Sequence, residues 1–258
     1  MRGQGAQVHL TRGSCMAGQS LSKSWQIFRK GIRYSYDYLG MVMASSALWF
    51  FVGFLPLLLA TSFSNYIKNP VVFGVAIALT LLTVGPATAA VHTMMARILD
   101  KQDVTVREFF RHFRRFFGRG VGLVLLNVLI LAILGSDFLF TINNPNKIIR
   151  MLSGIWIYFF IFWALMANYV FPFLVNQDIG VFLTMKRAVL LALDNIVVTI
   201  FLAIAVLLVV VLSVILAAPV LLLMMGTVAF LQNVGYGELM RKYDAEPEDT
   251  TIDVEEES

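Results

Sequence analysis

Five stretches of this chain stay apolar over about 20 residues or more: Leu39–Phe63, Val71–Ala90, Val121–Thr141, Leu152–Val175 and Ile196–Leu231. A helix of about 20 apolar residues crosses roughly 30 Å of hydrocarbon, so the solvent this sequence is built for is a bilayer. The last stretch is 36 residues long and would make a single helix of about 54 Å at 1.5 Å per residue, more than one crossing needs. Ala217-Ala218-Pro219 interrupts it, and proline suits the first position of a new helix. Two spans are therefore expected there, Ile196–Leu216 and Pro219–Met240. The second ends in a half-polar run, QNVGYGELM. The expected fold is all-α: a polytopic membrane bundle of about six transmembrane helices.

Composition agrees. Hydrophobic residues make up 59% of the chain, charged residues 14%, and the mean hydropathy is +0.78. A soluble domain carries about 25% charged residues, so a disordered chain, a fibrous protein and an ordinary soluble enzyme are excluded. The single cysteine, Cys15, allows no intrachain disulfide. Residues 1–15 read as a polar leader, and Met16 is a second plausible start. No short apolar core of a signal peptide precedes Leu39.

The 20 Lys and Arg residues divide unevenly between the two sides of such a bundle. One side takes Arg2, Arg12, Lys23, Arg29, Lys30 and Arg33, then Arg97, Lys101, Arg107, Arg111, Arg114, Arg115 and Arg119, then Lys186, Arg187, Arg241 and Lys242. The other takes Lys68, Lys147 and Arg150. A ratio of 17 to 3 places both termini in the cytoplasm by the positive-inside rule. Tyr34, Tyr36, Tyr38 and Tyr66 flank the first span, where interfacial aromatics belong. The chain divides into a cytoplasmic N-terminal segment 1–38, a transmembrane domain 39–241 and an acidic, disordered cytoplasmic tail 242–258. Residues 244–258 carry eight acids and no base. They read as a solvated end or as a tether folding back on the basic face. Topology accounts for the positive charge, and nucleic acid is not an expected partner.

The best-defined local motif is VTVREFFRHFRRFFGR, residues 104–119. Thr105 and Glu108 have capping-box spacing, and Val104 and Phe109 that of a hydrophobic staple, so a helix is expected from Thr105. At 100° per residue Val106, Phe109, Phe110, Phe113, Phe116 and Phe117 share one face, and Arg107, Arg111, Arg114 and Arg115 the other. This pattern suits a helix lying in the membrane interface or capping the other helices with its phenylalanines. Its arginines are the candidate interaction face, towards anionic lipid headgroups or a partner protein.

The order span, proline break, amphipathic helix, span occurs twice. The first copy runs 71–141 with Gly85-Pro86. The second runs 150–216 with Phe171-Pro172, Asp178 as candidate N-cap, and a helix over Ile179–Leu193. The copies run in the same direction, unlike the inverted repeats of many transporters. Gly85, Pro86 and Pro172 are expected to be structural breaks, with Gly85 admitting a close neighbouring helix.

Four polar residues fall at membrane depth: His92, Asn127, Asp137 and Asn168. Ionisable residues there are functional candidates by default. Asn127 and Asn168 read more simply as interhelical hydrogen-bond partners, Asp137 as solvated near the outer interface, and His92 as facing the cytoplasmic headgroups. Trp156, Tyr158, Trp163 and Tyr169 could stack on a sugar, although lipid-facing aromatics are commoner. The sequence contains no HExxH, no Cys/His ligand spacing, no close carboxylate pair and no P-loop. No catalytic residue, metal or cofactor is expected, and the chain does not read as an enzyme.

SALWFFVGFLP (Ser46–Pro56), TVGPATAAVHTMMARILD (Thr83–Asp100) and VREFFRHFRRFFGRG together resemble the YesL family of bacterial integral membrane proteins. The match is carried by Trp49, Pro56, Gly85, Pro86, Ala87, Thr88, Ala89, Phe109, Phe110, Phe113 and Phe116. Ser45 and Ser46 stand where the family tends to have Asn, and Gly118 where it tends to have Asn-Phe. The family has no known biochemical function. Its members are often encoded beside carbohydrate ABC importers. The resemblance implies an accessory or regulatory protein of the bacterial cell membrane, partnered with ABC transporter permease subunits. The alternative is a small-solute transporter or channel acting as a homo-oligomer.

Overall fold

The computed structural model describes residues 22–63, 70–216 and 222–244. Nearly all of them are helical. In chain order the helices are α1 (22–37), α2 (Leu39–Ser62), α3 (Pro70–Leu99), α4 (Arg107–Arg115), α5 (Phe117–Ile142), the short α6 (Lys147–Met151), α7 (Ser153–Gln177), α8 (Val181–Asp194), α9 (Ile196–Leu216) and α10 (Met224–Asp244). Five segments are long and apolar enough to cross a membrane: α2, α3, α5, α6 with α7 (Lys147–Gln177), and α9.

Burial divides these helices into two tiers. In α3 every residue from Gly85 to Ile98 except Arg97 is buried, whereas only Ala76 and Thr80 are buried before Gly85. In α7 the buried residues begin at Leu165. In α9, which runs the opposite way, they fall at Val198, Thr199, Leu202 and Ala205 near its start, with Ser213 alone beyond. The buried ends lie together, and the Arg and Lys residues of α4, α8 and α10 lie at the same end. In the other tier large apolar side chains face outward, as at Val75, Leu129, Ile157 and Leu207. So much contiguous apolar surface is incompatible with water and suits lipid. One tier is thus a set of membrane-crossing helices, and the other a densely packed basic base.

The expected sixth span, Pro219–Met240, is not among the five crossing segments: α10 covers its later part, and Pro219 and the proposed turn lie outside the described residues. α10 does not meet the apolarity of the other five. It is the central helix of the base, packed against α2, α3, α7 and α9. Ala229, Phe230, Leu231, Asn233 and Leu239 are all buried. A helix surrounded by protein can carry Asn and Glu, because neighbouring side chains satisfy them. That is why its sequence looks like a weak span.

Two close approaches lock the tiers. A Cβ on Gly85 would lie 2.2 Å from the Gly120 carbonyl oxygen, and one on Gly120 would lie 2.7 Å from the Pro86 nitrogen. The α3 and α5 backbones therefore touch. Pro86, whose nitrogen bears no hydrogen, makes no bond back to the Leu82 carbonyl within α3. Pro86 and Pro172 do not end their helices: α3 and α7 continue through both. Farther along, the Gly226 amide in the first turn of α10 donates to Ser46 Oγ at 2.9 Å. A first-turn amide has no partner in its own helix, and α2 supplies one.

The described part of the N-terminal segment packs onto the bundle. Residues 22–37 form α1, whose Ile27 is buried against Leu202 and Leu231. Tyr34 stacks on Phe230 at 6.0 Å rather than lying at an interface, whereas Tyr36 and Tyr38 are exposed. Tyr66, residues 1–21 and the acidic tail beyond Asp244 lie outside the described residues. The two expected copies recur as α3–α4–α5 and α7–α8–α9, in the same order and direction.

Candidate functional site

The basic base carries two features with chemistry: the outer face of α4 and a polar cleft beneath α10. α4 begins at Arg107, with Val106 as its N-cap residue and no side-chain cap. The expected capping box does not form. Glu108 instead meets Arg97 of α3 at 2.8 Å, an ion pair that pins α4 to the bundle. Val104 packs into the same apolar cluster as Phe109, as a staple requires.

The phenylalanine face splits in two. Phe109 and Phe116 are buried at 0% and 1% exposure, with Phe113 partly buried between them, whereas Phe110 is 50% and Phe117 44% exposed. His112 belongs to the buried stripe, at 4% exposure. α4 is therefore both a cap and an edge. One stripe closes the base, and Val106, Phe110 and Phe117 remain outward beside Arg107, Arg111 and Arg114. Arg111 stands 4.0 Å from Glu108, and Arg107 and Arg114 have no ion pair among the described residues.

Arg115 is different. It donates to Asp178 Oδ2 at 2.9 Å, and Arg119 binds the same carboxylate and donates to the Asp178 carbonyl at 3.0 Å. Asp178 is not the N-cap of α8. It closes α7 in the left-handed region at φ 51°, and Gly180 precedes α8. Its carboxyl titrates below the ordinary carboxylate value because of the Arg115 hydrogen bond and the Arg119 charge. This strap ties α4 and α5 to the α7–α8 turn. Burial, with Arg97 next, lowers the His112 imidazole below its usual value. Arg97 Nη1 lies 3.4 Å from His112 Nε2, while the buried Nδ1 has no partner among the described residues.

The expectation that His92 faces headgroups is overturned. It is 1% exposed, stacked on Phe171 at 5.5 Å, because α7 and α10 cover it. Asn233 of α10 donates to His92 Nδ1 at 3.1 Å and to the Ala229 carbonyl at 2.8 Å. Asn176 donates in turn to Asn233 Oδ1 at 3.1 Å and to the Pro172 carbonyl at 2.8 Å. The chain His92–Asn233–Asn176 ends at a cleft of about 310 Å³ between α1, α3, α7 and α10. Lys30, Glu238 and Arg241 line it, with Asp100 and Lys101 from the end of α3. Lys30 meets Glu238 at 2.6 Å, and Arg241 lies 3.6 Å from the same carboxylate. Sequence reasoning missed Asn176, Asn233, Lys30 and Glu238. The polar break QNVGYGE in an otherwise apolar run was the available signal.

The remaining polar residues stay apart. Asn127 of α5 accepts from Trp163 Nε1 of α7 at 3.0 Å, and Asn168 of α7 accepts from Gln232 of α10 at 3.2 Å. Asp137 lies part-way along the exposed length of α5. Tyr169 is buried on Thr199 at 2.9 Å, while Tyr158 is exposed, so the aromatics of α7 form no common surface. Among the described residues no three His, Cys, Asp or Glu are grouped to hold a metal.

No curated protein and no solved structure matches the chain. Residues 42–138, from α2 through most of α5 and including the Gly85–Gly120 contact and α4, match a family model described as a protein of unknown function, DUF624.

Proposed function

We propose that this is a YesL-type protein of the bacterial cell membrane that acts as an accessory or regulatory subunit of carbohydrate ABC-type uptake. On this reading both termini and the basic base are cytoplasmic, and α4 is the docking edge. The observation that carries it is the pairing of exposed Phe110 and Phe117 with Arg107, Arg111 and Arg114, which have weak ion-pair partners or none. A partly apolar edge bordered by arginines suits a membrane-protein partner at the headgroup level, where each arginine near an anionic surface adds roughly 1 kcal/mol. The sidedness rests on the 17-to-3 distribution of bases. The link to carbohydrate uptake rests on the family resemblance.

The test is affinity purification from native membranes with mass spectrometry. Permease subunits should co-purify, and the triple reversal Arg107→Glu, Arg111→Glu, Arg114→Glu should abolish this without lowering the amount of folded protein. Arg115 is left intact because it belongs to the Asp178 strap. A partner-free homo-oligomer that moves solute in liposomes would replace this reading with a transporter. Partner recovery unchanged by the reversal would remove α4 from the interface. An alkaline-phosphatase fusion active after Met240 would overturn the orientation.

A further inference from the structure

We infer that the cleft beneath α10 is a binding site for a small phosphorylated polyol, a phosphomonoester that also carries hydroxyl groups. The inference stands apart from the partner reading, since no residue of the α4 face lines the cleft.

The cavity volume of about 310 Å³ lies at the low end for small-molecule sites, which selects a metabolite rather than a peptide or dinucleotide. Three cations line it, Lys30, Lys101 and Arg241, against two carboxylates, Asp100 and Glu238. Glu238 is already met by Lys30 and Arg241. Lys101 has no ion pair among the described residues and is exposed, so it is the cation free to meet a phosphate. Its backbone is informative as well. It closes α3 at φ 58°, a left-handed conformation that glycine adopts without strain and other residues do not. A lysine there keeps an ammonium at the cleft mouth at some conformational cost.

The hydroxyl-binding groups are other residues that line the same cleft. The Asn176 amide nitrogen is committed to Pro172 and Asn233, which leaves its oxygen as an acceptor at the cleft. Asp100 supplies further acceptors, and Tyr34 an aromatic wall. Asn176 is fixed through Asn233 to buried His92, so this acceptor is preorganised by the core. A bare anion would leave these acceptors unused, and a neutral sugar would leave Lys101 unused.

The test uses the purified full chain in nanodiscs, with calorimetric titration of glucose 6-phosphate, inorganic phosphate and glucose. Glucose 6-phosphate should bind saturably and at least about tenfold more tightly than either fragment. Lys101→Gly should weaken its binding roughly tenfold or more, the loss expected for one charge-assisted hydrogen bond. The melting temperature should hold or rise, because glycine accepts the left-handed φ. Lys101→Arg should retain binding. Absence of saturable glucose 6-phosphate binding up to roughly 10 mM, or equal affinity in Lys101→Gly, would overturn the proposal. So would inorganic phosphate or glucose binding as tightly as the phosphosugar.

Discussion

Gly85→Ala should be among the most damaging single-methyl additions in this chain. The added Cβ would lie 2.2 Å from the Gly120 oxygen and 2.6 Å from its carbonyl carbon. An ordinary carbon–oxygen contact is about 3.3 Å or more, so α3 and α5 would have to separate by about 1 Å. Both clashing atoms are backbone, so no rotamer change relieves the contact. Overpacking costs typically 1–3 kcal/mol, and we expect about 3 kcal/mol here, at the upper end. For a chain of this size that corresponds to a loss of roughly 6–12 °C in melting temperature. Gly74→Ala, on the same helix with no atom within 4 Å of its Cβ, is the matched control. It should be neutral or stabilising by up to about 1 kcal/mol through helix propensity. Intrinsic tryptophan fluorescence during a thermal ramp in detergent reads both. If Gly85→Ala melts with Gly74→Ala, the backbone contact does not exist and the packing argument fails.

Three further outcomes are expected. Ser46→Ala should cost about 1 kcal/mol, the value of a helix-cap bond, and hydrogen exchange should show the first turn of α10 opening earlier; unchanged protection at Gly226 would refute the cap. Phe109→Ala should lose about 3–5 kcal/mol as a buried aromatic, whereas Phe110→Ala should leave the melting temperature close to wild type; equal losses would mean that α4 does not dock as described. Asp178 titrates below its unfolded value, so the strap's contribution is complete above that value, about 3.9, and is lost as pH falls through the folded one. Asp178→Asn should flatten melting temperature against pH in that acid window, and a wild-type slope in the variant would count against the strap.

The apolar runs made the five crossing helices legible, because an unbroken run of about 20 residues has few other uses. The base was harder to read, since lipid and a protein interior both call for apolar side chains. Nothing local separates the exposed half of α3 from the half after Gly85. The phenylalanine period located α4 but could not tell buried Phe109 from exposed Phe110, because its apolar face is wide enough to meet protein and surroundings at once. Local rules failed where a distant charge competed. Glu108 turned to Arg97 instead of closing a capping box, and Asp178 turned to Arg115 and Arg119 instead of capping α8. His92 became interior through Asn233, 141 positions away. No short window contains that last pair.

The central place of α10 has a consequence in time. It follows every other described helix in the chain, yet its Gly226 amide is satisfied by Ser46, 180 positions earlier. Asn233 is likewise the bridge between His92 and Asn176. During synthesis the five long apolar segments that precede α10 can enter the bilayer singly, since each is apolar enough to do so. Until α10 emerges, however, α3 has only α2, α4, α5 and α7 to pack against, and His92 lacks its bridging partner. The half-made chain should therefore be inserted without the bonds that α10 supplies to Ser46, His92 and Asn176. Final assembly is therefore a late, long-range event, and a chain cut after Leu216 should reach the membrane and be degraded there.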